Sequence, residues 1–269
     1  MHIDRTALVT GASSGIGRAT AQAFRTKGYR VIGTSRNADT IAESAKVENV
    51  EYRSLDLTDI AAIDQFAADL GPVDILVNNA GESQSGPLED LPMDAIERLF
   101  ALNVFGPVRL TQLVLPGMRA RGYGRVVMVG SMLASFPLAY RSSYVSTKAA
   151  IKGFADAARL ETAPFGVWVT TVEPGSIDTG IGSRRTKYLA DDSPYAADFH
   201  TVIGALERNE SSGIAADPVA ATILEAVESD RPKALYAIGS NAGPAFLMKR
   251  LTPASLVEKV IARRHGLAR

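Results

Sequence analysis

Tyr144 and Lys148 stand four residues apart in Ser143-Tyr-Val-Ser-Thr-Lys148, and Ser131 stands thirteen residues before the tyrosine, at the end of Arg125-Val-Val-Met-Val-Gly-Ser131. These residue types at this spacing suit proton transfer. On a helix, positions i and i+4 share one face, so a phenol and an ammonium four apart point into the same space. A phenol titrating near pH 10 lies roughly three units from neutrality, a gap of about 4 kcal/mol. A cation fixed nearby favours the phenolate and narrows that gap. A serine hydroxyl alongside would hold a carbonyl oxygen against the phenol. The plainer alternative is a half-buried tyrosine that only packs, and the rest of the chain has to decide between the two.

The elements that must position these groups are legible as an alternation. Short apolar runs rich in β-branched residues begin at Thr6, Tyr29, Val50, Asp74, Arg125, Val167 and Ala234, with helical patterns over 15–27, 59–70, 92–121, 141–163 and 217–228. This alternation predicts an α/β fold: one Rossmann-type, doubly wound parallel sheet of about seven strands with helices on both faces. Ligands of such sheets sit at the carboxyl ends of the strands. One domain over 1–269 is expected, without repeats or linkers. Residues 176–213 carry no clear strand, so the reading there is a substrate lid after strand six, built of short helices. Residues 240–269 read as a C-terminal helical extension.

The first strand runs into Thr10-Gly-Ala-Ser-Ser-Gly-Ile-Gly17, and a helix follows. Glycines let the backbone turn tightly and approach a ligand, and the free N–H groups of a helix start suit a pyrophosphate. The loop residues Gly11, Ser13, Ser14, Gly15, Ile16 and Gly17 are therefore expected to bind a dinucleotide, against the alternative of a purely structural turn. The spacing is G-x-x-x-G-x-G rather than the more familiar G-x-G-x-x-G. The second strand ends in Gly33-Thr-Ser-Arg36. An acid at this point would bind the ribose hydroxyls of NAD, whereas an arginine pairs with the 2′-phosphate of NADP. Arg36 stands there with no carboxylate at 34 or 35, which predicts NADP(H) over NAD(H).

Four features now occur in order: T-G-x-x-x-G-I-G at 10–17, Asn78-Asn-Ala-Gly81, Ser131, and Tyr144-x-x-x-Lys148. Together they resemble the short-chain dehydrogenases/reductases over nearly the whole chain. Asp56-Leu57, Asn103 in the fourth helix and Pro174-Gly-Ser-Ile-Asp-Thr179 extend the likeness. The resemblance implies roles. Tyr144 is the general acid or base, Ser131 orients the substrate oxygen, and Lys148 binds the nicotinamide ribose and assists the tyrosine. Asn103 holds a water that relays protons from Lys148. Asp56 and Leu57 meet the adenine, while Asn78, Asn79, Ala80 and Gly81 hold the sheet and line the cofactor. Pro174 and Gly175 bind the cofactor, and Ile177 and Thr179 meet the nicotinamide carboxamide. The cofactor would carry the hydride and the protein the proton. Dimers or tetramers are expected by the same likeness.

Composition removes other classes. Lys plus Arg and Asp plus Glu are 29 each, so no basic excess points to nucleic acid. There are no cysteines, and His2, His200 and His265 show no metal-ligand spacing. The start shows no secretory pattern, and no apolar run approaches the roughly 18 residues that span a bilayer. A cytoplasmic enzyme is expected.

The extra length of the lid and the tail over 246–267 make the chain look more like the 17-beta-hydroxysteroid and retinol dehydrogenase branch. That likeness implies a lipophilic ketone or secondary alcohol, with Leu133, Phe136, Leu138, Tyr140, Tyr188 and Phe199 as pocket residues. The alternatives are a 3-oxoacyl-type ketoreductase and a non-catalytic dinucleotide sensor. Arg184-Arg-Thr-Lys187 reads as solvated lid surface, or as a site for an acidic substrate. The tail sets Leu247, Leu251, Leu256, Val260 and Ile261 beside Lys249, Arg250, Arg263 and Arg264. It reads as two helices broken at Pro253 and packed on the domain, or as a basic amphipathic segment on a membrane.

Overall fold

A computed structural model describes residues 4–267. Residues 1–3 and 268–269, on which the readings of His2, the chain start and the far end of the extension partly fall, lie outside the described residues. Strand β1 (Thr6–Val9) is buried on both faces. Ala7 and Val9 enter one hydrophobic cluster and Leu8 another, as the two-residue period of a strand requires. A strand buried on both faces belongs to a parallel sheet between two helical layers.

Helix α1 (Gly15–Lys27) follows and stops at Gly28, whose φ of 96° is left-handed. The N–H of Gly28 donates to Arg25 O and that of Tyr29 to Phe24 O, closing the last turn. Then come β2 (Arg30–Ser35), β3 (Glu51–Ser54), α2 (Ile60–Ala68), β4 (Ile75–Asn78) and the two-residue β5 (Gln84–Ser85). Asp59 caps α2 by accepting from Ala62 N–H at 3.1 Å. Helix α3 (Met93–Phe100) passes through a π-helical turn (Ala101–Phe105) into α4 (Gly106–Ala120). The rest is β6 (Gly124–Val129), the short α5 (Met132–Ser135), α6 (Ser142–Thr162), β7 (Val167–Pro174), β8 (Thr186–Lys187), α7 (Ala196–Ser211), α8 (Ala216–Glu228), β9 (Leu235–Ile238), α9 (Ala242–Leu251) and α10 (Ala254–Arg264).

The main sheet has seven strands in the order β3-β2-β1-β4-β6-β7-β9, every pair parallel. The chain winds outward from β1 through β3, then returns to β4 on the other side of β1. The direction reverses between β1 and β4, and a crevice opens there at the carboxyl ends. On one face α1 and α8 bury Phe24 and Ile223 against Val9 and Val77. On the other, α2, α4 and α6 bury Ile63, Leu110 and Ile151 against Leu8, Leu76 and Val126. This is the Rossmann-type architecture expected from the alternation.

Two details differ from expectation. Residues 176–213 hold one 16-residue helix, α7, rather than short ones, together with β8, which pairs parallel with β5. Phe199, Val202, Ile203 and Leu206 form one buried stripe on α7, the i, i+3, i+4, i+7 pattern of an amphipathic helix. Interleaved charges hid that period in the sequence. Asn103 stands in the π turn rather than in a regular helix.

The tail does break at Pro253 into α9 and α10. Phe246 meets Phe136 edge-on at 5.1 Å, and Val257 is buried with Met132. Leu247, Leu251, Leu256 and Val260 remain exposed. By length and composition alone, Met93–Ala120 would pass for a membrane span, but half of its most apolar window is buried in the fold.

Candidate active site

The 11–17 loop is built by contacts that leave no space. A Cβ on Gly17 would stand 2.2 Å from Gly11 O and 2.4 Å from Asn79 Nδ2. Gly11 and Gly15 have φ of 67° and 52°, the left-handed region. Asn79 Nδ2 donates to Thr10 O at 2.8 Å, and Thr10 Oγ1 accepts from the N–H groups of Asn79 and Ala80. The Asn-Asn-Ala-Gly turn thus clamps the loop from behind. No side chain caps the N-terminus of α1, and its first turn carries no acid. These free N–H groups, at the positive end of a 13-residue helix, fit a pyrophosphate.

Arg36 is 76% exposed and lies 3.8 Å from Glu82, which bonds more closely to Arg98. An exposed pair at that distance contributes about 0–1 kcal/mol. A phosphate that makes charge-assisted bonds to Arg36 would displace it. Asp56 is exposed and accepts from Thr58 N–H at 2.8 Å and Thr58 Oγ1 at 2.7 Å. These two bonds hold its carboxyl below the usual carboxylate range.

At the other end, Ser131, Tyr144 and Lys148 are all buried and converge on one cleft of about 650 Å³. Ser131 caps α5, its Oγ accepting from Leu133 N–H at 3.2 Å. Its own hydroxyl proton remains to donate. Lys148 Nζ donates to Val129 O at 2.9 Å and lies 5.8 Å from the Tyr144 ring centroid. Behind it, Asn103 Oδ1 accepts from Glu82 N–H, while Nδ2 donates to Glu82 O and Thr147 Oγ1. Gly81 fits between the two, since a Cβ there would lie 3.0 Å from Asn103 Oδ1 and 3.7 Å from Lys148 Nζ.

The same cleft is lined by Gly11, Ser13, Ser14, Gly15, Ile16, Arg36, Leu57, Asn79, Ala80 and Gly81, and by Pro174, Gly175, Ile177 and Thr179 beyond β7. Four expected residues stand off it. Gly17 is the packing partner of Gly11, and Asn78 is buried, donating to Thr111 Oγ1 at 3.0 Å. Asp56 turns to Thr58, and Asn103 lies behind Gly81.

Of the six proposed pocket residues, Leu133 and Phe136 line the cleft. Leu138 and Phe199 belong instead to the core under α7, and Tyr140 meets Phe199 edge-on at 5.7 Å and Tyr195 at a tilt at 6.4 Å. Tyr188 hydrogen-bonds through its backbone to Ser85, beside Gly86, and does not line the cleft. The 184–187 run divides: Arg184 is exposed at the cleft, Arg185 is buried on Glu210, and Lys187 pairs with Glu207 at 2.6 Å.

Several lining residues carried no sequence signal. Arg141, Glu82, Arg98 and Glu210 reach the cleft through tertiary contacts. So do Ala245 and Met248 of α9, with Val260, Ile261 and His265 from α10 and its end. Arg141 is buried, its guanidinium 4.3 Å from the Tyr144 ring centroid. Burial pulls its pKa down to about 10. Ser135 Oγ donates to the buried Glu173, and Lys249 bonds to Ser135 O, tying α9 to α5.

The family model for the short chain dehydrogenase matches residues 5–189. The chain belongs to that family. It is 36% identical to the uncharacterized oxidoreductase YusZ of Bacillus subtilis, over 96% of this chain and 97% of the relative. Dehydrogenase/reductase SDR family member 7B of Xenopus tropicalis is 30% identical over 97% of this chain and 85% of its own. A 3-ketodihydrosphingosine reductase of Bacteroides thetaiotaomicron is 31% identical over 84% of each chain. Among solved structures, a short-chain dehydrogenase from Streptomyces avermitilis superposes with a TM-score of 0.81 at 36% identity, covering 97% of this chain and 96% of that one. A serine dehydrogenase complexed with NADP+ superposes at 0.75 and 26% identity, covering 88% and 95%. This protein is therefore a short-chain oxidoreductase, similar to the dehydrogenase/reductase branch, working between CH–OH and C=O with a nicotinamide cofactor.

Proposed function

We propose that the protein is an NADP(H)-dependent reductase of lipophilic ketones, run in reverse on secondary alcohols, with Tyr144 as the proton donor or acceptor. The observation that carries this reading is that Ser131, Tyr144 and Lys148 converge on a cleft continuous with the 11–17 loop. When bound, the nicotinamide supplies or receives the hydride. The loop N–H groups would hold the pyrophosphate, Arg36 the 2′-phosphate and Leu57 the adenine end, where Asp56 would reach only through Oδ2, the oxygen not bonded to Thr58. Pro174, Gly175, Ile177 and Thr179 would border the nicotinamide. A solved relative at 26% identity holds NADP+, which supports the phosphate reading of Arg36.

At the reacting end Ser131 donates to the carbonyl oxygen and fixes it beside Tyr144, which donates its proton in reduction and accepts one in oxidation. Lys148, anchored on Val129 O, places a positive charge near that oxygen and binds the ribose. Both Nδ2 donations of Asn103 are already made. A relay water there would be held by backbone carbonyl groups in the π turn, where the regular ladder is interrupted.

The apolar walls from Met132, Leu133 and Phe136, with Met248, Val260 and Ile261, support a lipophilic substrate. So does the relative named for 3-ketodihydrosphingosine. Residues 176–213 act as the substrate lid, and the extension from 240, through α9 and α10 to His265, completes the cleft. Assembly of two or four copies in the cytoplasm belongs to the same proposal; exposed Phe105, Phe154 and Leu160 offer apolar surface for it.

The test is NADPH consumption across steroid, retinoid, aryl and aliphatic ketones. Turnover of a lipophilic ketone is expected. Saturable NADPH binding with no turnover on any of them would instead make the chain a dinucleotide sensor.

A further inference from the structure

Arg141 precedes α6 and lies beside the reacting groups, yet the proposed chemistry makes no use of it. Its side chain is among the largest that are fully enclosed, and it lines the cleft. The bonds it makes leave from Nη1 and end on uncharged oxygens: Ser83 Oγ at 2.9 Å, Gln84 O at 2.9 Å and Ser85 Oγ at 3.0 Å. Its Nε has no hydrogen-bond partner among the described residues.

The local charges do not balance. Arg185, which shares Ser83 Oγ with Arg141 at 3.3 Å, is paired with Glu210. Glu207, 3.8 Å from Arg185, is taken by Lys187 at 2.6 Å. Glu210 acts on Arg141 electrostatically but is already bonded to Arg185. Lys148, close by, rests on a carbonyl rather than a carboxylate. Of the three cations around β5 and β8, Arg185 therefore takes Glu210 and Lys187 takes Glu207, while Arg141, enclosed like Arg185, makes no bond to a carboxylate and faces the Tyr144 ring. Enclosing a charge without a counter-ion opposes folding, because the hydration given up is not replaced. Buried guanidinium groups are ordinarily matched to a carboxylate.

We infer that Arg141 is matched by the substrate: it receives a carboxylate carried close to the reacting carbonyl. This rests on the reading of Ser131, Tyr144 and Lys148 as the reacting end, and narrows its substrate class. The favoured compound is a keto acid whose carboxylate turns toward Arg141 and Ser83. Its apolar body runs along Leu133, Phe136, Met248 and Ile261.

The experiment compares 3-oxo-octanoate with its methyl ester in the presence of NADPH. The acid is expected to have the higher kcat/KM by about tenfold or more, the share of one charge-assisted hydrogen bond. In Arg141→Gln the acid-to-ester ratio should fall to within about threefold of unity on the same scale. A wild-type ratio near one, or an unchanged ratio in Arg141→Gln, overturns the inference. The wild-type ratio needs no variant, so a misfolded Arg141→Gln does not shield the inference.

A binding arm separates this inference from the catalytic reading. Octanoate, which cannot react, is titrated calorimetrically into Tyr144→Phe loaded with NADPH, with and without Arg141→Gln. Binding weakened about tenfold or more by Arg141→Gln is expected. Absence of octanoate binding, or equal affinity in both proteins, overturns the role of Arg141. Arg141-dependent binding with no turnover of any ketone by the wild type upholds that role and overturns the catalytic reading alone.

Discussion

Lys148 Nζ donates to the carbonyl oxygen of Val129 at 2.9 Å, and this bond fixes helix α6 against the carboxyl end of β6. Tyr144 stands one turn earlier on the same helix, and Ser131 two residues beyond that carbonyl. One strand end therefore sets the position of all three groups.

Replacing Tyr144 with Phe keeps the ring under Arg141 and removes only the hydroxyl. Turnover should fall by about 10²–10⁴, the usual share of a positioned acid–base group. The NADPH dissociation constant, read by fluorescence titration, should change little. Near-wild-type turnover in this variant would remove Tyr144 from the mechanism.

Arg36→Asp exchanges a donor for a carboxylate next to Glu82, which already stands 3.8 Å from Arg36. The ratio of kcat/KM for NADPH over NADH should drop by about tenfold or more, since charge-assisted bonds contribute roughly 1.5–3 kcal/mol each. An unchanged ratio would place recognition of the 2′-phosphate elsewhere, with Arg98 the next residue to test.

Gly17→Ala forces a Cβ to 2.2 Å from a backbone oxygen. Weaker NADPH binding and a Tm lower by several degrees are expected, because backbone has to move. Gly153→Ala is the control. It lies within α6 with no heavy atom within 4 Å of the added Cβ. There the substitution should stabilise, by at most about 1 kcal/mol. Equal effects at the two sites would contradict the packing described for the loop.

His265 predicts a pH dependence. It lines the cleft, its Nδ1 lies 2.9 Å from Ile261 O, and burial above all pulls its pKa below 6.5. As pH falls below 6.5, the unfolded chain takes a proton that the folded one refuses, so stability falls with it. The loss stops once pH is below the folded pKa. Protection factors in Ala254–Arg264, corrected for the intrinsic pH dependence of amide exchange, should fall between pH 7.5 and 5.5, and His265→Gln should flatten that change. Identical slopes in both proteins would rule the histidine out.

The sheet, the glycine turn after β1 and the shared helix face of Tyr144 and Lys148 were legible because each is local: a two-residue period, glycines at a strand end, one turn of helix. The amphipathic period of α7 was present too, at 199, 202, 203 and 206, but charges between those positions obscured it. Leu138 and Phe199 look like pocket residues in the sequence because apolar side chains give no sign of which cavity they face. Arg141 was illegible for a different reason. Its environment comes from Ser83, Gln84 and Ser85, and the bond from Arg185 to Ser83 spans 102 positions. Likewise, only the folded tail shows that Val260 and Ile261 reach the cleft while Leu256 stays outside.

The far wall of the cleft, from Leu206 on α7 through Met248 on α9 to Ile261 on α10, shares no element with Ser131, Tyr144 and Lys148. That wall can therefore change, residue by residue, without a substitution at Ser131, Tyr144 or Lys148. A lineage carrying this scaffold could change its diet without relearning its chemistry.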